Sequence, residues 1–336
     1  MRMLKVLAAV AAIGLITPFA LAQDTKKDTN KDPKEERKTE SKKDAEGEGK
    51  ESKTKFDRGD EKAEKFLKRA YIRVYSAEAA GLKKLHAGAD IGVDASAFGM
   101  GEMPFGGEIW WKTGGAAIWE STDEDTGSSP LGNISALAKG LFEPYLAYVT
   151  GFESWDVRFK QASFAFGDPI TEGEGDKAKE VAKTVVVKYA DDKRAEETFA
   201  IAENKVLSVS KDADVQGQKA RVTFSFEYED KGDKLRITSI TGSTEVDMSA
   251  LPGQEPDPKN PVPKGASKEK LEGTIKVTKY GKVGEFDVAL ELEGSMSLMG
   301  MSFPATMKLD EAKINDDVKD EDFPEGAKEE SSDDEF

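Results

Sequence analysis

The chain of 336 residues contains no cysteine and a single histidine, His86. The first absence removes disulfides, zinc–thiolate sites and thiol nucleophiles together. The second leaves no imidazole set for a metal site and argues against histidine-based acid–base chemistry. The Gly-x-Ser-x-Gly, His-Glu-x-x-His, P-loop and dinucleotide fingerprints are missing as well, and no pattern calls for a cofactor. Basic patches are also lacking. With 65 acidic against 49 basic residues the formal net charge is −16, which disfavours nucleic acid and anionic lipid surfaces as partners. These absences point away from an enzyme. A paired-carboxylate hydrolase is the weaker alternative, because such pairs form in space and leave no spacing in sequence.

What is present begins at the N-terminus. Arg2 and Lys5 precede an uncharged, mostly apolar run from Val6 to Ala20, and Ala20-Leu21-Ala22 offers small residues before Gln23. This is the pattern of a cleavable signal peptide over residues 1–22, and the run is too short to span a bilayer. With no cysteine to carry a lipid, the mature protein is expected to be periplasmic or secreted, with envelope proteins as possible partners. Gln23–Asp60 balances 12 basic with 12 acidic residues around one aromatic, Phe56, and reads as a disordered charged linker. At the other end, Asp310–Phe336 holds 13 acidic residues against three lysines; residues 326–336 read as an acidic tail.

Between them, residues 61–325 carry the folded domain. Ala63, Phe66, Leu67, Ala70, Tyr71, Val74 and Tyr75 recur at helical spacing, and Gly81 ends or interrupts that helix. Strict alternation follows: Ala87, Ala89, Ile91, Val93 and Ala95 face one way, and His86, Gly88, Asp90, Gly92 and Asp94 the other. That is a half-buried strand with His86 as an exposed strand-edge residue. Gly106–Trp111 and Ala116–Ser121 form a hairpin with Trp110 opposed to Ile109 and Trp111, and a second helix spans Ile134–Val149, divided by Pro144.

The remainder reads as strands. Trp155, Val157 and Phe159 alternate with Asp156, Arg158 and Lys160. Further strands lie near 181–189, 196–202, 206–210, 221–228, 235–246, 271–280 and 285–297, and the proline-rich stretch 251–268 is an extended loop. Repeated single-face alternation means an antiparallel sheet with one wet face. The expected fold is α+β: a curved antiparallel sheet, or incomplete β-barrel, covered by two helices.

The order of amphipathic helix, strand, tryptophan hairpin, helix and antiparallel meander resembles the LolA/LolB-like lipoprotein-carrier superfamily. The phrase Ile314-Asn315-Asp316-Asp317-Val318-Lys319-Asp320-Glu321-Asp322-Phe323 is similar to the closing strand, Asn, acidic turn and Phe of many members. The resemblance covers roughly residues 61–325. It implies an incomplete barrel whose apolar concavity holds acyl chains beneath helices acting as a lid.

Trp111, Trp119, Phe142, Tyr145, Phe159, Phe224 and Phe226 are the residues expected to face that concavity and bind an apolar ligand such as a lipid or an acylated protein. The competing reading is a packed core belonging to a structural or interaction protein of the envelope. Met296, Met299 and Met301 form a thioether cluster able to bind Cu(I), to present adaptable apolar surface, or simply to pack. Two calcium-like strings, beginning at Asp123 and Asp212, lack the terminal acidic ligand and read as turns.

Overall fold

The computed structural model describes residues 56–94, 96, 99, 101–114, 117–122, 142, 145–146, 148–173, 177–190, 194–215, 218–247, 268–298 and 301–324. The expected signal peptide, most of the linker, the loop 251–267 and the acidic tail lie outside these residues. So does most of the expected helix 134–149, of which Phe142, Tyr145 and Leu146 are described and helical.

Helix α1 (Glu61–Tyr71) is delimited by its cap chemistry. The Asp60 carboxylate accepts hydrogen bonds from the backbone N–H of Lys62 (2.8 Å) and Ala63 (3.3 Å). Glu61 and Glu64 in the first turn and Lys68 and Arg69 in the last complement the helix dipole. Ala63, Leu67, Ala70 and Tyr71 form the buried stripe. The helix stops before Val74 and Tyr75, which the periodicity had included. Both are claimed by the sheet: Tyr75 N donates to Leu235 O at 2.7 Å, and Leu235 N donates to Arg73 O at 2.7 Å. Just upstream, Arg58–Asp60 already belong to the fold, with Asp60 N and Phe164 N exchanging hydrogen bonds across to Phe164 O and Arg58 O.

Among the described residues thirteen strands form one antiparallel sheet that does not close into a barrel. In chain order they are β1 (Lys84–Asp94), β2 (Glu102–Lys112), β3 (Ile118–Ser121), β4 (Ala162–Phe166), β5 (Ile170–Glu172), β6 (Lys179–Tyr189) and β7 (Glu197–Ala202). There follow β8 (Lys205–Val215), β9 (Gln218–Lys231), β10 (Lys234–Asp247), β11 (Lys268–Val283), β12 (Phe286–Leu298) and β13 (Met301–Ile314). The spatial order is β3-β2-β1-β13-β12-β11-β10-β9-β8-β7-β6-β4, with β5 pairing β6. From β6 to β13 each strand pairs with its neighbour in sequence. The hairpin β1–β3 is attached through one distant pairing, β1 with β13, in register from Leu85 opposite Ile314 to Val93 opposite Ala305.

Inside the sheet lies a strap made of two short segments. Ser76 bridges Gly151, Ala77 N donates to Thr150 O at 2.8 Å, and Phe152 N donates to Tyr75 O at 3.1 Å. Sheet irregularities receive this strap. The β11–β12 register shifts between Val277 and Tyr280, and Ala289 N donates to Val149 O at 3.0 Å. Ala289, at that contact, is fully buried.

The run at 155–160 is a correction. It forms a one-turn helix, α2 (Trp155–Arg158), rather than a strand. Trp155 and Phe159 are buried and lie four residues apart, a spacing that puts them on one helical face, whereas alternation had placed Val157 with them. His86 is another. It lies in β1, which has β2 on one side and β13 on the other, so it is not at an edge, and its ring stacks on Trp110 at 3.8 Å.

Two glycines test the strap. Gly151 has φ +88°, and an added Cβ would meet Tyr75 O; Gly232, at φ +68° in the turn before β10, has open space around it. Gly232→Ala should cost only the left-handed strain of about 1–2 kcal/mol. Gly151→Ala adds displacement of the strap and should cost about 3–5 kcal/mol. Urea unfolding of both variants measures the difference, and equal losses would show that the strap yields freely.

Candidate ligand-binding face

Strand register assembles an apolar surface on the inner side of the sheet. One cross-strand row runs Phe105, Ile91, Met307, Leu292 over β2, β1, β13 and β12. A second runs Val93, Ala305, Gly294, Ile275, Ile240, Phe226 over six adjacent strands from β1 to β9. Every member of both rows is buried. The second row is lowest at Ala305 and Gly294, where side-chain volume nearly vanishes. α1 packs over the other end of the sheet, against β4, β6, β7 and β8.

The seven residues expected at the site are all buried, between 1 and 7 % exposed, and all belong to one apolar cluster. They fall into separate groups within it. Tyr145 meets Phe224 edge-on at 6.0 Å, and its hydroxyl donates to Gly273 O at 2.9 Å. That approach requires a gap in the sheet: Gly242 lies opposite Gly273, and a Cβ there would sit 2.7 Å from the Tyr145 hydroxyl. Phe226 continues the group through Tyr148 (5.4 Å) and Phe152 (5.1 Å). Tyr71 then bridges Phe152 (4.9 Å) to Phe159 (5.0 Å). Trp111 and Trp119 stand apart on β2 and β3, with Trp111 opposite Leu85 and Trp119 opposite Ile109. Phe142 is buried in the same cluster.

Tyr148, Phe152 and Tyr71, which link these groups, were not among the expected site residues. Tyr71 was visible as part of the helix stripe. Phe152 sits in the strap, a segment with no periodicity to flag it.

Beside Phe159 the core holds a charged cluster. Arg158 Nη2 donates to both Glu197 oxygens at 3.0 and 2.8 Å, and the Tyr189 hydroxyl donates to Glu197 Oε2 at 2.6 Å. The guanidinium lies 5.6 Å from the Phe199 ring. Burial pushes the Glu197 carboxyl up, but Arg158 and Tyr189 outweigh it and hold the group below its ordinary range. Lys211, opposite Glu197 in register, is lowered by burial to about 8. Glu153 behaves oppositely. Burial raises its carboxyl, neither oxygen receives a hydrogen bond among the described residues, and Arg194 comes no nearer than 3.7 Å. Arg158 was read from the sequence as one of the polar positions alternating with Trp155, Val157 and Phe159; the helical turn of α2 carries it into the core.

The methionine cluster is only partly described. Met299 lies outside the described residues, and Met296 and Met301 are placed by backbone alone, in β12 and β13. Of the calcium-like strings, Asp123 lies outside them, while Asp212 is a strand residue of β8 opposite Arg221.

The two buried glutamates give opposite predictions. For Glu153 the folded-state value is raised, so its ionisation penalty is fully present above that value and disappears below the ordinary carboxylate value. Glu153→Gln should therefore raise Tm at pH 7 and lose that advantage as the solution is brought toward pH 4. For Glu197 the folded-state value is lowered, so its stabilisation exists at neutral pH and is lost on acidification. Glu197→Gln should cost about 3–5 kcal/mol at pH 7 by leaving Arg158 buried without its partner. Thermal unfolding of both variants across pH 4–7 checks the signs.

No family model matches the chain, and no curated protein sequence matches it. Solved structures do show a likeness. A LolA superfamily protein from Nitrosomonas europaea is 8 % identical with a TM-score of 0.32, covering 78 % of this chain and 97 % of its own. A domain assigned as an outer membrane lipoprotein-sorting protein, from Vibrio parahaemolyticus, is 11 % identical with a TM-score of 0.29, over 77 % and 96 %. A DUF1329 family protein from Desulfovibrio piger is 7 % identical with a TM-score of 0.29, over 79 % and 98 %. Each of these likenesses is loose.

Proposed function

We propose that this chain is an exported, non-enzymatic binding protein that holds an apolar ligand, a lipid or a lipoprotein acyl chain, against the inner face of its curved sheet. The observation that carries the reading is the six-strand apolar row from Val93 to Phe226 on a sheet that stays open. An open sheet leaves its inner face to be covered by something other than itself, and this row dips at Ala305 and Gly294. Phe226 ends the row and Phe224 and Tyr145 adjoin it, and Trp111, Trp119, Phe142 and Phe159 extend the same apolar cluster.

A second reading rests on burial. Since all seven aromatic residues are already at most 7 % exposed, they serve equally as the filled core of an envelope interaction protein.

Native mass spectrometry of the mature chain, purified gently from an exported fraction and followed by organic extraction, separates the two. A stoichiometric acyl species supports the carrier; an apo mass with no extractable lipid rejects it. Trp111→Ala and Phe142→Ala add an energetic arm. A filled core loses about 3–5 kcal/mol at each position, whereas a ligand-lined cavity loses bound lipid with a smaller loss of stability.

A further inference from the structure

A third cross-strand row crosses the inner face, and it is not apolar throughout. Over six adjacent strands from β11 to β6 it runs Leu271, Thr244, Val222, Lys211, Glu197, Val187. Every member is buried, and Lys211, at 9 % exposure, is the most open. On β9 and β10 this row lies four residues from the one through Phe226 and Ile240, about 13 Å along the strands. Tyr145, with its hydroxyl over Gly242 and its ring against Phe224, stands between the two. One side of Tyr145 is therefore lined by hydrocarbon, and the other carries polar groups.

The pairing within the fold leaves two of those groups unaccounted for. Glu197 already accepts from Arg158 twice and from Tyr189 once. The charges acting on Lys211 are Glu197, Arg158 and Arg194, so three cations share one carboxylate there. Burial first, and the two guanidinium groups after it, outweigh Glu197 and lower the Lys211 ammonium to about 8. Thr244 is 3 % exposed, and its Oγ1 has no hydrogen-bond partner among the described residues. A buried hydroxyl without a partner is a costly group to keep on an apolar face. Lys211 and Thr244 flank Val222, two strand spacings or about 10 Å apart at the backbone. An oxyanion lodged between them accepts from the ammonium and the hydroxyl together.

We propose that this row is the headgroup end of the ligand site, where Lys211 and Thr244 hold the carboxylate or phosphate of an acyl ligand whose chain lies along the row from Val93 to Phe226. The inference rests on the carrier reading and adds the class of ligand, an anionic amphiphile. Excess positive charge and an unmet donor both call for an acceptor. A neutral headgroup would meet the hydroxyl but leave the charge uncompensated.

Isothermal titration of the mature chain with dodecanoate, dodecyl phosphate and dodecanol tests it. At least one of the two anions should bind roughly ten-fold more tightly than dodecanol. Lys211→Met should abolish that preference while leaving dodecanol binding unchanged, because Glu197 keeps Arg158 and Tyr189. Lys211→Arg should keep it, and Thr244→Val should weaken anion binding about three-fold without lowering Tm, since it removes the unpartnered hydroxyl. Equal binding of all three compounds to the wild type, or a preference that survives in both Lys211→Met and Thr244→Val, overturns this inference and leaves the carrier standing. Binding of acetate or inorganic phosphate as tight as that of the long-chain anions also overturns it, because such a site ignores the chain. No binding of any of the three rejects the carrier reading itself.

Discussion

The pairing of β1 with β13 is the constraint on which the rest of the sheet depends. Every strand from β6 to β13 pairs with its neighbour in sequence, so that stretch can zip up turn by turn. The β1–β3 wing has no such local anchor. It joins the sheet only by bringing Leu85 against Ile314, more than two hundred residues away, with a corresponding loop-closure cost. Apolar burial repays it: Ile91 and Val93 extend the inner rows through Met307 and Ala305, and the sheet gains the width that its open inner face needs. The outer face closes the same seam with Asn315, Lys84 and Phe323.

The second layer is irregular, and that suits its task. A long helix would leave the hydrogen bonds exposed by the sheet's bulges unused. The strap at 73–77 and 148–152 instead offers backbone groups to Leu235 and Ala289 and the Tyr75 hydroxyl to Asp287 N, while Tyr145, just before its second segment, donates its hydroxyl to Gly273 O. Buried charge is concentrated at the α2 end, where Arg158 Nη2 and the Tyr189 hydroxyl both donate to Glu197, while Arg158 Nε and both Glu153 oxygens have no hydrogen-bond partner among the described residues and Glu153 is the costly member. Replacing that trio with apolar residues would cost little in principle, so its worth lies in fixing α2 against β7 in one arrangement rather than in raw stability.

Much of the sheet was legible in the sequence because period-two alternation is a local property. The burial of Ala87, Ala89, Ile91 and Val93, and the placing of Trp110 on the opposite face from Trp111, follow from alternation alone. Residues 155–160 were misread because three apolar residues two apart fit a strand, while Trp155 and Phe159 also fit one turn of helix. His86 was placed on the correct face but assigned to an edge, since position within a sheet is set by which strands pair and not by any strand's own pattern. The strands β4, β5 and β13 were missed altogether: β4 and β5 are short and separated by Gly167 and Pro169, and β13 carries Pro304 and follows the methionine cluster directly.

The sequence by itself determined the composition of the faces of those strands that alternate regularly, β1 foremost, and that neither thiol nor multi-imidazole chemistry is available. Only the tertiary structure decided which faces meet. It drew Val93 and Phe226 into one row, seated Tyr145 over the paired glycines 242 and 273, and turned Arg158 inward onto Glu197. Local pattern fixes the direction of a side chain relative to its own backbone, because that depends on neighbouring dihedrals. What the side chain touches depends on long-range register, which is chosen by the summed burial of the whole sheet.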